Sequence, residues 1–426
     1  MNEIKKREKL LILGCSVGTE DALEYAKELG VYTIITDNII PGENSLKRMA
    51  DEYWMIDVAD VDALESKCKE EEVSGIFAAT SEFCLDKAKE LCKRLNFPFY
   101  ASDEGWAAAR DKERFKRHCI SCGLNVPRKY EVDASFIKTL PEDISWPVIV
   151  KPADSYGQIG LSICKDESKL REGIRFALNY SSSRKVIVED YIEGEEMAAG
   201  YLLRDGKAFL INTVDLLEMP VNGRKNFTYI RYNSIWAEEF KNETSKVEKL
   251  FQKLGCRNGF IFMQAIRSKG TFYFLEMGYR LNGAGSWVID EEIKGINIVK
   301  YLVNYALGNS LENEINVRDT KGSEYTVGGT YMLWARPGKV KLIDGVEKVT
   351  KMKGVHIILQ NFKAEDIVPT DISMKQIAFY ICLVAEDEEK MKRKIQDINK
   401  TLHLYDSEGK EMLLYFQDYK KCEKKG

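Results

Sequence analysis

The stretch that decides the fold of this chain is Gln264–Arg280, QAIRSKGTFYFLEMGYR. Two runs rich in aromatic and branched residues, Phe260–Arg267 and Thr271–Met277, lie on either side of the turn signal Ser268-Lys269-Gly270. Such runs favour strands, and a short link containing glycine favours a tight connection between them. The sequence therefore predicts a β-hairpin at this point.

The predicted hairpin carries polar side chains that suit a metal ion and a phosphate. Gln264 and Glu276 share a face only if the link has three residues or a strand carries a bulge, because side chains alternate along a strand. Carboxylate and amide oxygens suit Mg²⁺, which keeps water ligands and binds through one or two protein groups together with phosphates. The alternative is a purely structural hairpin with one carboxylate at its edge, so the hairpin alone does not establish a metal site.

Upstream, Val148–Gly160 (VIVKPADSYGQIG) is an apolar strand that reaches Lys151 and continues into a loop containing Gly157 and Gly160. Glycines allow a backbone to approach phosphates and to aim N–H groups at them, and a lysine adds a compact positive charge. An ordinary strand followed by a surface turn fits the segment equally well.

The next informative segment is Val186–Glu196, VIVEDYIEGEE, an apolar strand that ends in alternating acidic and apolar residues. The backbone of such a segment can pair with the edge of a purine while its acids reach an amino group and a ribose. An acidic loop facing solvent is the alternative, since loops of this composition are common at protein surfaces.

Taken in order, the lysine strand, glycine loop, acidic segment and hairpin resemble the ATP-grasp superfamily, most closely its carboxylate-amine ligases, biotin carboxylases and carbamoyl-phosphate synthetases. The joint match covers about residues 1–330. The resemblance implies an α/β chain with a Rossmann-like amino-terminal domain (1–110), an α+β ATP-grasp domain (111–320) whose mobile lid spans about 126–190, and a small α+β carboxy-terminal lobe (321–426).

The resemblance also implies ATP and Mg²⁺ (or Mn²⁺) as cofactors and a role for individual residues. The residues implied to bind nucleotide are Lys112 and Lys151 at the phosphates, Ser155, Gly157 and Gly160 in the loop, Glu189, Asp190 and Ile192 at the adenine edge, Glu196 at the ribose, and Ile266 beneath the ring. Gln264 and Glu276 resemble the metal ligands, and Arg280 resembles the arginine that steadies the transferred phosphate.

Two departures concern the metal. The family usually ends its motif as Glu-x-Asn-Pro-Arg, whereas this chain has Glu276-Met277-Gly278-Tyr279-Arg280, and an amide stands at Gln264 where a glutamate is usual. One carboxylate then faces the ion where two are common, so we expect weak metal binding without nucleotide. Asn282 or a water molecule is a candidate replacement for the missing second ligand.

The first forty residues predict a βαβ unit of Rossmann type, with strands Lys9–Gly14 and Tyr32–Thr36 around one helix. The spacing of Gly14 and Gly18 is not GxGxxG, so no dinucleotide site is predicted. Open parallel sheets bind ligands beyond the carboxyl ends of their strands. The candidate substrate contacts there are Ser16, Asp37 and Thr80–Glu82, with plain turn and capping chemistry as the alternative.

Composition limits the functional classes. The 426 residues suffice for two or three domains, and 44% hydrophobic with 31% charged residues is ordinary for a globular protein. A net charge of −4, with no basic stripe beyond the lysine-rich tail, argues against nucleic acid as a partner. No run approaches 18 apolar residues and no signal-peptide core is present, which predicts a cytoplasmic protein without a membrane partner.

The ten cysteines are scattered and predict free thiols in a reducing compartment. The pair Cys119 and Cys122 invites a metal or redox interpretation, which we reject. Asp111 is a predicted N-cap and Gly123 a predicted C′ residue, so both thiols fall at the end of one helix, and no second ligand pair completes a tetrahedral site.

Beyond Asn309 the sequence predicts four strands (325–334, 337–340, 355–359 and 377–384) and then a helix, 387–402. Between Asp215 and Trp236 we expect a loop whose Arg231 clamps a substrate carboxylate.

The function predicted is an ATP-dependent ligase that phosphorylates a carboxylate and passes the acyl group to an amine, releasing ADP and phosphate. The partners are then small-molecule carboxylate and amine substrates, while monomer and homodimer both stay open. Two alternatives are carboxyphosphate chemistry on bicarbonate, as in carboxylases, and a nucleotide-binding module without turnover.

Overall fold

A computed structural model describes seven parts of the chain, residues 7–42, 45–131, 143–153, 160–221, 224–311, 323–370 and 374–416. The predicted loop residues Ser155 and Gly157 lie outside these parts. No helix in them is long and apolar enough to cross a membrane.

Helices and strands are mixed along the described parts of the chain. The helices are α1 (Thr19–Glu28), α2 (Leu46–Met49), α3 (Val61–Glu70), α4 (Glu82–Leu95), α5 (Asp103–Arg110), α6 (Lys112–Ser121), α7 (Glu167–Leu178), α8 (Ala237–Phe240), α9 (Thr244–Lys253), α10 (Ser286–Lys294), α11 (Ile298–Ala306), α12 (Val346–Thr350) and α13 (Glu388–Thr401). The strands are β1 (Lys9–Leu13), β2 (Tyr32–Thr36), β3 (Glu52–Trp54), β4 (Gly75–Phe77), β5 (Lys129–Tyr130), β6 (Val148–Pro152), β7 (Ser162–Cys164), β8 (Val186–Asp190), β9 (Glu195–Arg204), β10 (Lys207–Val221), β11 (Arg224–Tyr232), β12 (Gly259–Ser268), β13 (Thr271–Gly278), β14 (Val327–Ala335), β15 (Gly338–Asp344), β16 (Val355–Gln360), β17 (Ile367–Val368), β18 (Ile377–Ala385), β19 (His403–Asp406) and β20 (Leu413–Leu414).

The amino-terminal part is a parallel sheet in the order β3-β2-β1-β4. Its central strand β1 is apolar and buried from Leu10 to Leu13, as expected of a parallel strand covered on both faces. The predicted strand, helix and second strand of residues 9–36 are all present. The carboxyl ends of the strands in this sheet lie toward the hairpin formed by β12 and β13. Glu82, at the start of the helix α4 that follows β4, contacts Arg280, which follows β13.

A nine-stranded antiparallel sheet runs β13-β12-β9-β10-β11-β14-β18-β16, with β20 paired to β14. The strands predicted beyond Asn309 are confirmed as β14, β15, β16 and β18, and the predicted helix as α13. The loop predicted between Asp215 and Trp236 is wrong, because most of it forms β10 and β11. The β-branched and aromatic residues there favour strands, and Phe227 and Tyr229 pair with β10 on either side of a bulge at Thr228.

A smaller sheet, in the order β5-β8-β6-β7, carries helix α7 on one face. Its own core contains Val148, Val150, Leu170 and Val188. The side chains of Lys151 and Glu189 extend from this sheet toward helix α6. The sheet therefore brings two of the predicted nucleotide residues beside the helix that bears Lys112.

Helix α6 has the predicted ends. The carboxylate of Asp111 accepts hydrogen bonds from the N–H groups of Glu113 and Arg114, and Gly123 has φ = 81°. Cys119 and Cys122 lie at the end of this helix as free, buried thiols. Every other described cysteine is also a free thiol, and all of them are buried except Cys15, which is exposed.

Candidate active site

The hairpin contains a bulge, which decides whether Gln264 and Glu276 share a face. Its turn has two residues, Lys269 and Gly270, both with positive φ (48° and 80°), so the turn alone would put the predicted ligands on opposite faces. The ladder shifts next to Gln264, which pairs with Glu276 and leaves Leu275 as an extra residue. The bulge therefore places the amide and the carboxylate on the same face.

The next strand of the sheet adds to this face. Glu196 on β9 lies opposite Ile266 on β12, so both share the face of Gln264 and Glu276. The alternate residues of these strands are buried on the opposite side, among them Met197, Ala265 and Met277. The pleat thus separates a core face from a face on which four of the predicted residues lie together.

Charge is concentrated on this polar face. Lys112, at the start of α6, forms an ion pair with Glu276. Burial, together with the nearby carboxylates of Glu218 and Glu276, raises the pKa of Glu196 to about 7. A divalent cation would therefore relieve repulsion among the carboxylates.

The donor set fits a hard ion that uses few protein ligands. Gln264 and Glu276 supply one amide and one carboxylate oxygen side by side, which suits Mg²⁺ completed by water and phosphate oxygens. Across the described ranges, no group of three or more acidic, cysteine or histidine side chains is arranged to hold a metal alone. The site therefore favours an ion that arrives with the nucleotide.

A second cluster contains a residue that sequence reasoning missed. Lys116, one turn after Lys112 on α6, places its Nζ 2.5 Å from Oε1 of Glu189, while Nζ of Lys151 lies 2.9 Å from Oε2. Burial and the charge of Lys151 lower the pKa of Lys116 to about 8. Although burial alone would raise it, Lys151 and Lys116 hold the pKa of Glu189 below its usual value. The sequence did contain a signal for Lys116, because it follows Lys112 by four residues and such residues lie on the same face of a helix.

The remaining residues assigned to the nucleotide flank this cluster. The N–H of Asp190 donates to the carbonyl of Arg128, and its carboxylate accepts a bond of 2.6 Å from the Tyr130 hydroxyl. Ile192 is half-buried and lies two residues after the end of β8. Gly160 has φ = 76° and is buried, and a Cβ there would lie 2.7 Å from Cγ of Pro152. Sterics and backbone conformation both favour glycine at position 160.

Arg280 connects the hairpin to the amino-terminal sheet. Its Nη2 and Nε lie 3.0 and 3.2 Å from Oε1 of Glu82, and the other oxygen of Glu82 pairs with Arg110. The guanidinium lies 5.4 Å from the centre of the Phe262 ring. Burial lowers the pKa of Arg280, yet a guanidinium stays charged at neutral pH. Of the substrate contacts predicted in Thr80–Glu82, Glu82 therefore meets the predicted catalytic arginine.

The other amino-terminal candidates bond to residues of the amino-terminal part itself. Ser16 accepts a hydrogen bond from the N–H of Thr80 (3.2 Å). Asp37 pairs with the buried Lys47 at 2.5 Å and accepts a bond from the N–H of Ile39. The bond from Ile39 to Asp37 is turn chemistry of the kind weighed as the alternative, whereas the Ser16–Thr80 bond and the Asp37–Lys47 ion pair join separate segments of the chain.

Arg231 and Asn282 also bond within the protein. Arg231 is 5% exposed on β11, and its guanidinium binds the buried carboxylate of Asp215. Asn282 donates to the Ser286 hydroxyl at 2.5 Å and accepts from the N–H of Ala284. A substrate carboxylate reaching Arg231 would have to displace Asp215.

Residues 111–314 match the family model described as carbamoyl-phosphate synthase L chain, ATP binding domain. Dapdiamide A synthase of Enterobacter agglomerans is 22% identical over 414 residues, which cover 93% of this chain and 96% of that protein. The L-amino acid ligase of Bacillus licheniformis superposes with a TM-score of 0.75 at 20% identity, covering 95% of this chain and all of that one.

The biotin carboxylase domain of Hydrogenobacter thermophilus 2-oxoglutarate carboxylase, solved with MgADP and bicarbonate, superposes with a TM-score of 0.76 at 18% identity, covering 95% of this chain and 91% of that one. The structural likenesses show a shared fold, and the matched ATP-binding model covers the site described above. Residues 111–314 of this chain thus match an ATP-binding domain family, and nearly the whole chain is similar to dapdiamide A synthase and to the L-amino acid ligase.

Proposed function

We propose that this protein is an ATP-dependent carboxylate-amine ligase. The observation that carries the proposal is the position of helix α6 between two clusters. Its Lys112 meets the hairpin at Glu276, and one turn later its Lys116 meets Glu189, which also binds Lys151. Residues suited to a metal and residues suited to phosphates therefore adjoin a single helix.

Phosphoryl transfer depends on positioning and charge neutralisation. Lys116 and Lys151 would bind nucleotide phosphates, and Gln264 with Glu276 would hold Mg²⁺, which when bound supplies positive charge to the phosphate oxygens. Arg280, held at the edge of the same face, would orient the substrate carboxylate and neutralise the acyl phosphate. The amine then attacks the acyl carbon and inorganic phosphate leaves.

The domain organisation belongs to the proposal. We infer an amino-terminal domain over 1–110, an ATP-grasp domain over 111–320 with its lid at about 126–190, and a carboxy-terminal lobe over 321–426. The first boundary lies between α5 and α6, where Asp111 caps the new helix. The boundary near 320 crosses a continuous sheet, since β11 pairs with β14, so the lobe extends the ATP-grasp sheet.

Full-length similarity supports ligation of small molecules. Dapdiamide A synthase matches nearly end to end, and the superposed L-amino acid ligase is covered completely. We therefore infer that the acyl donor and the amine are both small, with an amino acid among them. The competing candidate is carboxyphosphate formation, favoured by the fold likeness to a biotin carboxylase domain that binds bicarbonate.

Isotope transfer separates these functions. The purified protein is incubated with Mg²⁺, ATP and pooled amino acids whose carboxylates carry ¹⁸O, and in parallel with ¹⁸O-bicarbonate. An acyl phosphate moves one labelled oxygen from the carboxylate into the released phosphate. Label from amino acids supports the ligase, and label from bicarbonate supports the alternative. ATP binding without ADP release would contradict both and leave a binding module. Lys151→Met, in which we expect turnover to fall at least tenfold, serves as the control.

A further inference from the structure

Glu189 lies between two cationic groups of different elements. Its side chain is buried, with Oε1 bound to Lys116 of α6 at 2.5 Å and Oε2 to Lys151 of β6 at 2.9 Å. Both carboxylate oxygens are therefore used inside the protein. The resemblance assigned this acid to the adenine amino group, but here it is directed at the two lysines.

We propose that Glu189 is a positioning residue that holds Lys116 and Lys151 together and keeps both charged for the nucleotide phosphates. The inference rests on the proposed ATP site and deepens it. It assigns the effect of Glu189 on nucleotide affinity to the phosphates and not to the base.

The physical reason is repulsion between buried like charges. Two ammonium groups that share one site disfavour each other's charged form, and burial disfavours both. The charged or titratable groups around Lys116 are Glu189, Lys151, Lys112 and the thiol of Cys119. Glu189 alone among them carries a negative charge at neutral pH, so its removal leaves Lys116 with cationic neighbours and an inert thiol. The pKa of Lys116, already about 8, would fall further.

The test compares ATP with adenosine. Affinities are measured with Mg²⁺ at pH 6.5 and 8.5, by calorimetry for ATP and by ligand-observed NMR for adenosine. For Glu189→Gln we expect ATP affinity to fall at least tenfold at pH 8.5 and less at pH 6.5, because protonation restores the charge of Lys116. Adenosine affinity should stay within twofold. Glu193→Gln, a change in an exposed acid of the same segment, is the matched control and should leave both affinities unchanged.

Further variants keep the result interpretable. Glu189→Asp retains the charge and should recover part of the ATP affinity. In a Lys116→Met background, Glu189→Gln should lose its pH dependence, and removing both partners guards against misfolding from an unpaired buried charge. Melting curves accompany every variant.

Three outcomes would overturn the inference. Equal losses of ATP and adenosine affinity would return Glu189 to the adenine edge. A loss that is the same at both pH values would exclude the charge effect, and unchanged affinities would remove any role. The wild-type protein is measured first. If it binds neither ATP nor adenosine, the proposed ATP site itself is refuted.

Discussion

Phe262 fills the space in front of Gly278. The two residues pair across the hairpin, and a Cβ at position 278 would lie 2.2 Å from Cζ of the ring. The φ of Gly278 is outside the left-handed region, so sterics and not backbone conformation require glycine here. The same ring lies beneath the guanidinium of Arg280. An asparagine side chain at position 278 would therefore collide with this ring.

Gly278→Asn should therefore destabilise the protein and lower turnover. Overpacking of this kind typically costs about 1–3 kcal/mol, and the displaced ring would move Arg280. The measurement is the melting temperature with ATP turnover. Gly283→Asn is the matched control, because a Cβ at Gly283 meets no atom within 4 Å. Wild-type stability in Gly278→Asn would contradict the steric account, whereas adding Phe262→Ala should relieve the strain.

Glu276→Gln should abolish Mg²⁺-dependent turnover while the fold survives. The amide is nearly the same size as the carboxylate, but it removes the charge that we assign to the ion and that pairs with Lys112. The measurement is a Mg²⁺ titration of ATP turnover with melting curves alongside. A variant that titrates like the wild type would remove the hairpin from the site.

Lys116→Met and Lys151→Met should each lower kcat/KM for ATP at least tenfold, which is about 1.4 kcal/mol of transition-state stabilisation. Both lysines adjoin Glu189 and would neutralise phosphate charge. Steady-state kinetics on folded variants measure the effect, with the exposed Lys185→Met as the control. If Lys116→Met behaves like that control, Lys116 does not belong to the phosphate site.

Glu82→Gln should reduce turnover with little change in ATP affinity. The change removes the carboxylate that separates two guanidiniums, so Arg280 loses its anchor and is repelled by Arg110. Glu82→Asp should recover part of the loss. Calorimetry with an ATP analogue and measurement of kcat separate the two effects, and a parallel loss of nucleotide affinity would argue for general unfolding.

The stability of the ligand-free protein should depend on pH through Glu196. Its pKa is raised from an ordinary 4.5 to about 7, so the folded protein retains a proton that the unfolded chain releases. This contribution to stability is complete below pH 4.5 and is lost as the pH rises to 7. Glu196→Gln should become more stable than the wild type as the pH rises through that range without Mg²⁺. Denaturant unfolding of both proteins at pH 5 and 8 tests this. If the unfolding free energies of Glu196→Gln and the wild type differ by the same amount at both pH values, the pKa of Glu196 is ordinary.

The sequence by itself determined the local elements. Aromatic and branched residues on either side of Lys269 and Gly270 specified the hairpin, and Asp111 and Gly123 marked the ends of α6. These features depend on residues a few positions apart, so composition and spacing suffice to predict them. The family resemblance likewise needed only segments in their order.

Tertiary structure decided which residues meet. The bulge beside Gln264 follows from the need to bury one face of β13 while keeping Glu276 on the other, a requirement set by packing and not by the turn. Lys116 reaches Glu189 across 73 residues of chain, and β11 buries Arg231 against Asp215. Such pairings depend on desolvation and on distances between elements, and no local pattern in the sequence encodes them.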